Sequence, residues 1–336
     1  MKTIQLSNFG LDNLKLVNTE KPQPGAHDVL VKIAAASFNY LDLMMIKGQY
    51  NPKLTFPYIP CSDAAGVVES IGTAVTRWKK GDRVTTHFIQ EWITGSKSIP
   101  IFQSRTGLEK PGVLSEYISV SEEALIATPA NLSSAEASTL PIAGLTAWTG
   151  LIDYANLKPG QTILTQGTGG VSIFALQIAK AMGVKVIALS STADKLARLK
   201  ALGADEVINY KDTPAWHKEA LRLTNGKGVD AILDVVGTDS LTKSVYAVKA
   251  DGFVGLVGNL SGAVVPFNIY DTVPNNATLR GISVGSRESF EAFARAIELT
   301  SLKPVIDRIF PFDATPEAYR YMEGNNFFGK IVISLN

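Results

Sequence analysis

The chain has 336 residues, 46% of them hydrophobic, which is enough to bury the cores of two domains. Lys plus Arg number 32 and Asp plus Glu 31, so the net charge of +1 gives no electrostatic case for nucleic acid or for an anionic membrane. The single cysteine, Cys61, excludes an intrachain disulfide, and no apolar run reaches membrane-spanning length. The opening MKTIQLSNFG lacks the apolar core and cleavage site of a signal peptide, so a cytoplasmic protein is expected.

The first third reads as β-rich. Residues 29–37 and 64–71 are strand runs, the second closed by Gly72. Gly81-Asp82-Arg83-Val84 turns into a strand, and residues 116–120 follow a turn at Pro111-Gly112. Residues 93–111 show no period and read as a loop. At 131–139, Asn131 or Ser133 can cap a helix with Glu136 in its first turn. From residue 162 the pattern alternates between strand and helix. Strands are expected at 162–165, 184–189, 207–208, 231–235, 253–257 and 279–284. Residues 194–202 form a helix with Leu196, Leu199 and Leu202 on one face. Such alternation predicts an α/β domain, a doubly wound parallel sheet with helices on both faces. The tail carries a helix at 289–299 and strand-like segments near 306–310 and 331–333. Without a flexible linker, two directly packed domains with a ligand cleft between them are expected.

The most informative stretch is TQGTGGVSIFALQIAKA, residues 165–181. A strand leads into a turn with Gly167, Gly169 and Gly170, and an amphipathic helix follows. Glycines let the backbone approach a ligand, and the helix aims unpaired N–H groups and its positive dipole end at a phosphate. Gly167, Thr168, Gly169, Gly170 and Val171 are therefore the expected phosphate contacts. The competing reading is a plain strand–helix connection, which the strand–glycine–helix–strand context disfavours. Ser172 stands where the last glycine of G-x-G-x-x-G is usual, so the tightest helix–strand contact must take a hydroxyl.

With Asn39-Tyr40-Leu41-Asp42, Ala65-Gly66-Val67-Val68, Gly81-Asp82-Arg83-Val84, Leu145-Thr146-Ala147-Trp148, Ala201-Leu202-Gly203-Ala204-Asp205 and Gly329-Lys330-Ile331-Val332, the chain resembles the medium-chain dehydrogenase/reductase family over nearly its whole length. The resemblance implies a GroES-like catalytic domain from both chain ends, 1–123 and 286–336, around a Rossmann domain, 124–285. It also implies hydride transfer with NAD(H) or NADP(H), a small-molecule substrate, and a homodimer through the last Rossmann strand, near 279–284.

Zinc-bearing members carry a Cys where this chain has Asn39, a Gly-His-Glu where it has Cys61-Ser62-Asp63, and a four-cysteine lobe in place of 93–111. One Cys and three His cannot build a four-cysteine site. A catalytic metal on Cys61, Asp63 and His87 has no ligand spacing in its favour. The resemblance therefore points to the zinc-independent, quinone-oxidoreductase-like branch, with no metal expected. The second Rossmann strand ends in Ser190, Ser191 and Thr192 with Lys195 and Arg198 beyond, where NAD enzymes place an acid. Hydroxyls and cations suit a 2′-phosphate, so Ser190, Ser191 and Lys195 point to NADP(H). The alternative for Lys195 and Arg198 is an ordinary solvated helix face. Val236, Gly258 and Asn259 end the fourth and fifth strands, where such sheets bind the nicotinamide. Lys330 is expected on the phosphate side of the cofactor, or else as a surface lysine.

Without a metal, hydrogen bonds must hold the developing oxyanion and one group must give a proton. The family pattern offers Asn39, at the metal-ligand position, and Tyr50, where related enoyl-thioester reductases carry a catalytic tyrosine. Tyr40 and Asp63 are weaker candidates. The competing readings are an Asx-type loop residue for Asn39 and packing for Tyr50. The expected function is NADPH-dependent reduction of quinones, enones or related carbonyl compounds. A metal-independent alcohol dehydrogenase and a non-catalytic NADPH-binding sensor or structural protein are the alternatives.

Overall fold

The computed structural model describes residues 1–335. The chain divides into two compact units, Met1–Leu145 joined by the stretch from Gly285 onward, and Thr146–Val284.

The first unit opens with β1 (Lys2–Leu6) antiparallel to β2 (Leu14–Asn18). Sequence pattern gives little signal for either, because each is only five residues long. β3 (Asp28–Ser37) is the spine of a seven-stranded sheet and is buried along most of its length. It ends at α1 (Tyr40–Ile46), then pairs antiparallel with β4 (Asp63–Ile71), which pairs with β5 (Arg83–Thr86). The expected loop at 93–111 holds one helical turn, α2 (Ile99–Phe102). β6 (Tyr117–Ser121) returns to β3, and β7 (Leu125–Ala127) closes on β5. Ser133 is the cap that starts α3 (Ser134–Ala137), with Glu136 returning its bond, and α4 (Leu145–Trp148) follows.

In the second unit strand and helix alternate as the periodicity predicts. β8 (Thr162–Gln166), α5 (Gly170–Ala181), β9 (Lys185–Ser190), α6 (Ala193–Ala201), β10 (Glu206–Asn209), α7 (Trp216–Leu223), β11 (Val229–Asp234), α8 (Leu241–Ala247), β12 (Val248–Leu256) and β13 (Thr278–Gly281) follow in turn. The strands are all parallel, in the order β10-β9-β8-β11-β12-β13. Strand order reverses beside β8, the switch point at which such sheets bind ligands. The strand expected at 279–284 stops at Gly281. Val284 adopts φ +77°, which an extended ladder does not accommodate.

The chain then re-enters the first unit through α9 (Arg287–Thr300), β14 (Ile306–Pro311), α10 (Thr315–Glu323) and β15 (Lys330–Ser334). β15 lies antiparallel to β3, and β14 parallel to β15. Among the described residues, one core cluster of the first unit includes Val31, Ile33, Phe38, Met45, Tyr319 and Ile331, and one of the second includes Leu164, Ile187, Ile232 and Val254.

Candidate active site

The register of β15 on β3 sets Val332 opposite Ser37. Two residues on, the same register brings Lys330 to the chain just past β3. Lys330 Nζ donates to Asn39 Oδ1 at 2.7 Å and to the Phe38 carbonyl at 2.5 Å. Asn39 Nδ2 donates in turn to Asp63 Oδ2 at 2.8 Å, and the Ile142 N–H reaches the same oxygen at 3.2 Å. Asp63 Oδ1 is buried without a hydrogen-bond partner. Asn39 also caps α1. Its own N–H donates to Asp42 Oδ2 at 2.8 Å, while Ser62 Oγ donates to Asp42 Oδ1 at 2.7 Å.

Two carboxylates and one ammonium are thus buried together. Burial disfavours charge, so it lifts Asp42 to about 6 and Asp63 to about 7, with hydrogen bonds and Lys330 pulling the other way. Burial also lowers Lys330, against the pull of both carboxylates. Cys61 lies in the same core at φ +75°, and burial pushes its thiol well up, so it stays protonated. Lys330 is therefore neither on the surface nor free to extend toward a phosphate. Its side chain is 3% exposed as a residue, and its ammonium is held by Asn39 and Phe38. The Gly-Lys-Ile-Val motif has no local signal for this, because its partner lies 291 residues away.

Tyr50 is half exposed, four residues beyond the end of α1. Its hydroxyl oxygen accepts from Arg105 Nη1 at 2.6 Å. Arg105 is buried and paired with Glu109 through both Nε, at 3.0 Å, and Nη2, while its guanidinium lies 4.2 Å from the Phe102 ring centroid. Sequence reading finds Tyr50 but misses Arg105, which sits in the stretch taken as a loop. Tyr40 is exposed at the first position of α1, and Asp63 is bound to Asn39 as described. Tyr50 and Asn39 thus have separate sets of partners.

In the second unit Gly167 turns with φ +73°, and Gly169 caps α5. Gly169 has φ −75°, which any residue adopts, and a Cβ there would meet no atom within 4 Å. Neither backbone nor packing demands glycine, so the open space in front of it fits a bound phosphate group. Gly170 and Val171 open the helix, and Thr168 is buried beside them. Ser172, in place of the usual glycine, is accommodated by donating Oγ to the Gln166 carbonyl at 2.6 Å. Gln166 Nε2 donates to Asp234 Oδ2 at 3.2 Å and to Ser244 Oγ at 2.9 Å. Asp234 also accepts the N–H groups of Val236 and Gly237, at 3.1 and 2.9 Å. This buried network, which sequence reading missed, ties the turn after β8 to the loop after β11. A Cβ on Gly258 would lie 2.3 Å from the Val235 carbonyl, so that glycine serves a close backbone approach, and Asn259 beside it is exposed. At the end of β9, Ser190 is buried and Ser191 half-buried. Lys195 sits in the first turn of α6, its N–H on Thr192 Oγ1 at 3.4 Å.

The residues matching the zinc-ligand positions do not fit a metal. Asn39 turns an N–H toward Asp63, an ammonium lies against Asn39, and Ser62, at the histidine position, donates its hydroxyl to Asp42. His87 is buried with Nε2 on the Gly285 carbonyl at 3.0 Å, and burial lowers it to about 4. Among the described residues no group of three or more His, Cys, Asp or Glu is placed to hold a metal ion.

Residues 25–130 match the alcohol dehydrogenase GroES-like domain, and residues 170–299 match the zinc-binding dehydrogenase family. A zinc-type alcohol dehydrogenase-like protein of Schizosaccharomyces pombe is 39% identical over 97% of this chain and 96% of that one. The chain belongs to the medium-chain dehydrogenase/reductase family. A human quinone oxidoreductase is 28% identical over 100% of this chain and 98% of its own. The crystal structure of an NAD-dependent alcohol dehydrogenase superimposes with a TM-score of 0.91 at 32% identity, covering 100% of both chains. This medium-chain dehydrogenase is therefore an oxidoreductase of a nicotinamide-dependent family, with the α/β and GroES-like architecture of its relatives.

The buried carboxylates make a pH test of the site. Asp63 has a folded pKa of about 7, above the ordinary 3.8. Between those values the folded dehydrogenase binds more protons than the unfolded chain, so this group's contribution to stability falls as pH rises through that window. Asp63→Asn removes the dependence. The unfolding free energy of the variant relative to the wild type should therefore shift in the variant's favour between about pH 4.5 and about pH 7.5. Denaturant titrations at both values measure it. A difference that stays flat, or moves the other way, would mean that Asp63 is not held as a proton-binding buried acid.

Proposed function

We propose that this dehydrogenase transfers hydride between NADP(H) and a quinone, an enone or a related carbonyl compound, without zinc. The observation that carries the reading is that Asn39, at the position of a metal ligand, is hydrogen-bonded between Lys330 and Asp63. The nicotinamide, when bound, supplies the hydride. The turn Gly167–Val171 would hold its pyrophosphate, and Val236, Gly258 and Asn259 its nicotinamide side, by analogy with other sheets of this kind. Asn39 has one Nδ2 hydrogen on Asp63 and a second to give to the substrate oxygen. The Tyr50 hydroxyl accepts from Arg105, so its own proton is the one it can offer outward. Quinones and enones spread negative charge as the hydride arrives, and so ask less of such donors than an isolated ketone does. Alcohol oxidation without a metal is the same geometry run in reverse, and it would need the phenol to act as base. A cytoplasmic setting agrees with the single cysteine and with the absence, among the described residues, of a helix long and apolar enough to cross a membrane.

The cofactor preference rests on Ser190, Ser191 and Lys195, with no acid at the end of β9. NADPH should bind more tightly than NADH in a fluorescence titration. Lys195→Glu should weaken NADPH about tenfold or more and NADH much less, because it sets a repulsive charge by the 2′-phosphate. Equal affinities for both cofactors in the wild type would remove the assignment.

Tyr50→Phe keeps the ring and deletes the donor. In an assay of NADPH oxidation with cyclohex-2-enone and 1,4-naphthoquinone, before and after dialysis against a chelator, the chelator should change nothing. The Phe variant should lose roughly 10²–10³-fold in kcat with little change in NADPH affinity. An unchanged kcat would reduce Tyr50 to packing, and activity lost with stoichiometric zinc would overturn the metal-free reading.

The same reading includes a homodimer. β13 is an edge strand, and Val264, Ile269, Tyr270 and Val273 are exposed in the segment before it. An uncovered edge with apolar neighbours is a template for pairing with a copy of itself. Light scattering at micromolar concentration should return twice the mass of one chain, and a monomer throughout that range would refute the dimer.

A further inference from the structure

We infer that Lys330 is a positioning residue for the reaction: its ammonium orients and polarises the Asn39 amide, doing through a side chain what a metal cation would do directly. The inference rests on the reading of Asn39 as the donor to the substrate oxygen. The geometry leaves one arrangement of that amide. An ammonium has hydrogens to give and no acceptor, so the atom facing it at 2.7 Å must be the carbonyl oxygen, Oδ1. The nitrogen then faces Asp63, whose Oδ2 receives both Asn39 Nδ2 and the Ile142 N–H. Oδ1 of Asp63 has no partner, so a proton taken up by this carboxyl can sit there and leave the contact with Asn39 intact. The amide is therefore held in one orientation from both sides, and that leaves its second N–H in a fixed direction.

Polarisation follows from the same contact. A positive charge on the carbonyl oxygen favours the amide resonance form with positive charge on nitrogen, which makes the remaining N–H a stronger donor. Burial matters twice. Lys330 and Asp63 are out of water, so the field of the ammonium is weakly screened, and Asn39 itself is 8% exposed. The second contact of Lys330, to the Phe38 carbonyl at 2.5 Å, fixes the ammonium from the backbone side. Nothing in this arrangement requires Lys330 to touch the substrate.

The test is a double-mutant cycle joined to a spectroscopic reading. With whichever of cyclohex-2-enone and 1,4-naphthoquinone turns over faster, Lys330→Met should lower kcat by about tenfold or more, with KM and NADPH affinity changed by less than about threefold. In the Asn39→Ala background the same change should cost less than about twofold, because Lys330 acts only through Asn39. If Asn39→Ala alone leaves kcat intact, the donor reading of Asn39 fails. If Asn39→Ala lowers kcat but the two losses multiply, the Asn39 reading stands and the inference about Lys330 falls. A lysine removed from between two buried carboxylates can unfold the chain, so Lys330→Met/Asp63→Asn, which removes one charge of each sign, is made alongside it. The reading that needs no turnover is the ¹⁵N resonance of the Asn39 side-chain amide, assigned by its loss in Asn39→Ala. It should lie downfield in the wild type and move upfield in whichever of the two Lys330 variants folds. Should neither fold, the wild-type resonance is judged against the other asparagine side chains. A resonance that stays in place, or an unshifted one in the wild type, overturns the inference.

Discussion

The constraint on which the first unit depends is the pairing of its last strand with its spine. β15 lies on β3 with Val332 opposite Ser37, and β4 lies on the other side of β3 with Asp63 opposite Ser37. One residue of β3 thus marks the level at which three distant segments converge. The cation arrives from one neighbour and a carboxylate from the other, and Asn39 bridges them from the turn between β3 and α1. Desolvating such groups is costly, and leaving one of them unpaired costs roughly 3–5 kcal/mol. Sheet register and charge balance therefore enforce each other. A slip of one residue along β15 would exchange the closely packed side chains of its two buried faces and withdraw the ammonium from Asn39 in the same movement.

A comparable economy operates in the second unit without any cation. Gln166, the last residue of β8, holds Val235 through its carbonyl and Asp234 through its amino group. Asp234 takes the hydroxyl protons of Ser240 and Ser244 and the N–H groups of Val236 and Gly237. The two loops that leave the switch point of the sheet are thereby held by one buried carboxylate. Ser172 joins the same system through the Gln166 carbonyl, which explains how a hydroxyl replaces the customary glycine without opening the helix–strand contact.

Legibility in the sequence followed range. The parallel sheet was readable because each strand, turn and helix carries its own period, and the turn at Gly167–Gly170 announces itself within a few residues. The cap at Ser133 was readable for the same reason. β1 and β2 escape because five residues give too little pattern. α2 escaped because one turn has no period at all. Around the candidate site, Asn39 and Tyr50 are named by their match to family positions, whereas Arg105 and Asp234 are not. Their roles come from partners 55 and 68 residues away. Lys330 is the instructive error. A lysine at a strand start looks solvated in any local reading, and only the return of the chain end to β3 buries it.

That return has a consequence for how the protein is made. A ribosome delivers Asp42 and Asp63 well before Lys330. Until Lys330 emerges, the nascent chain holds two acids destined for the interior and lacks the base that lies beside them. Burying them early would demand that they take up protons, at a cost that neutral pH makes real. The entire second unit, by contrast, is encoded between the halves of the first and carries its network complete. Pairing of β15 with β3 then completes this side of the sheet and brings the ammonium to Asn39 in one step.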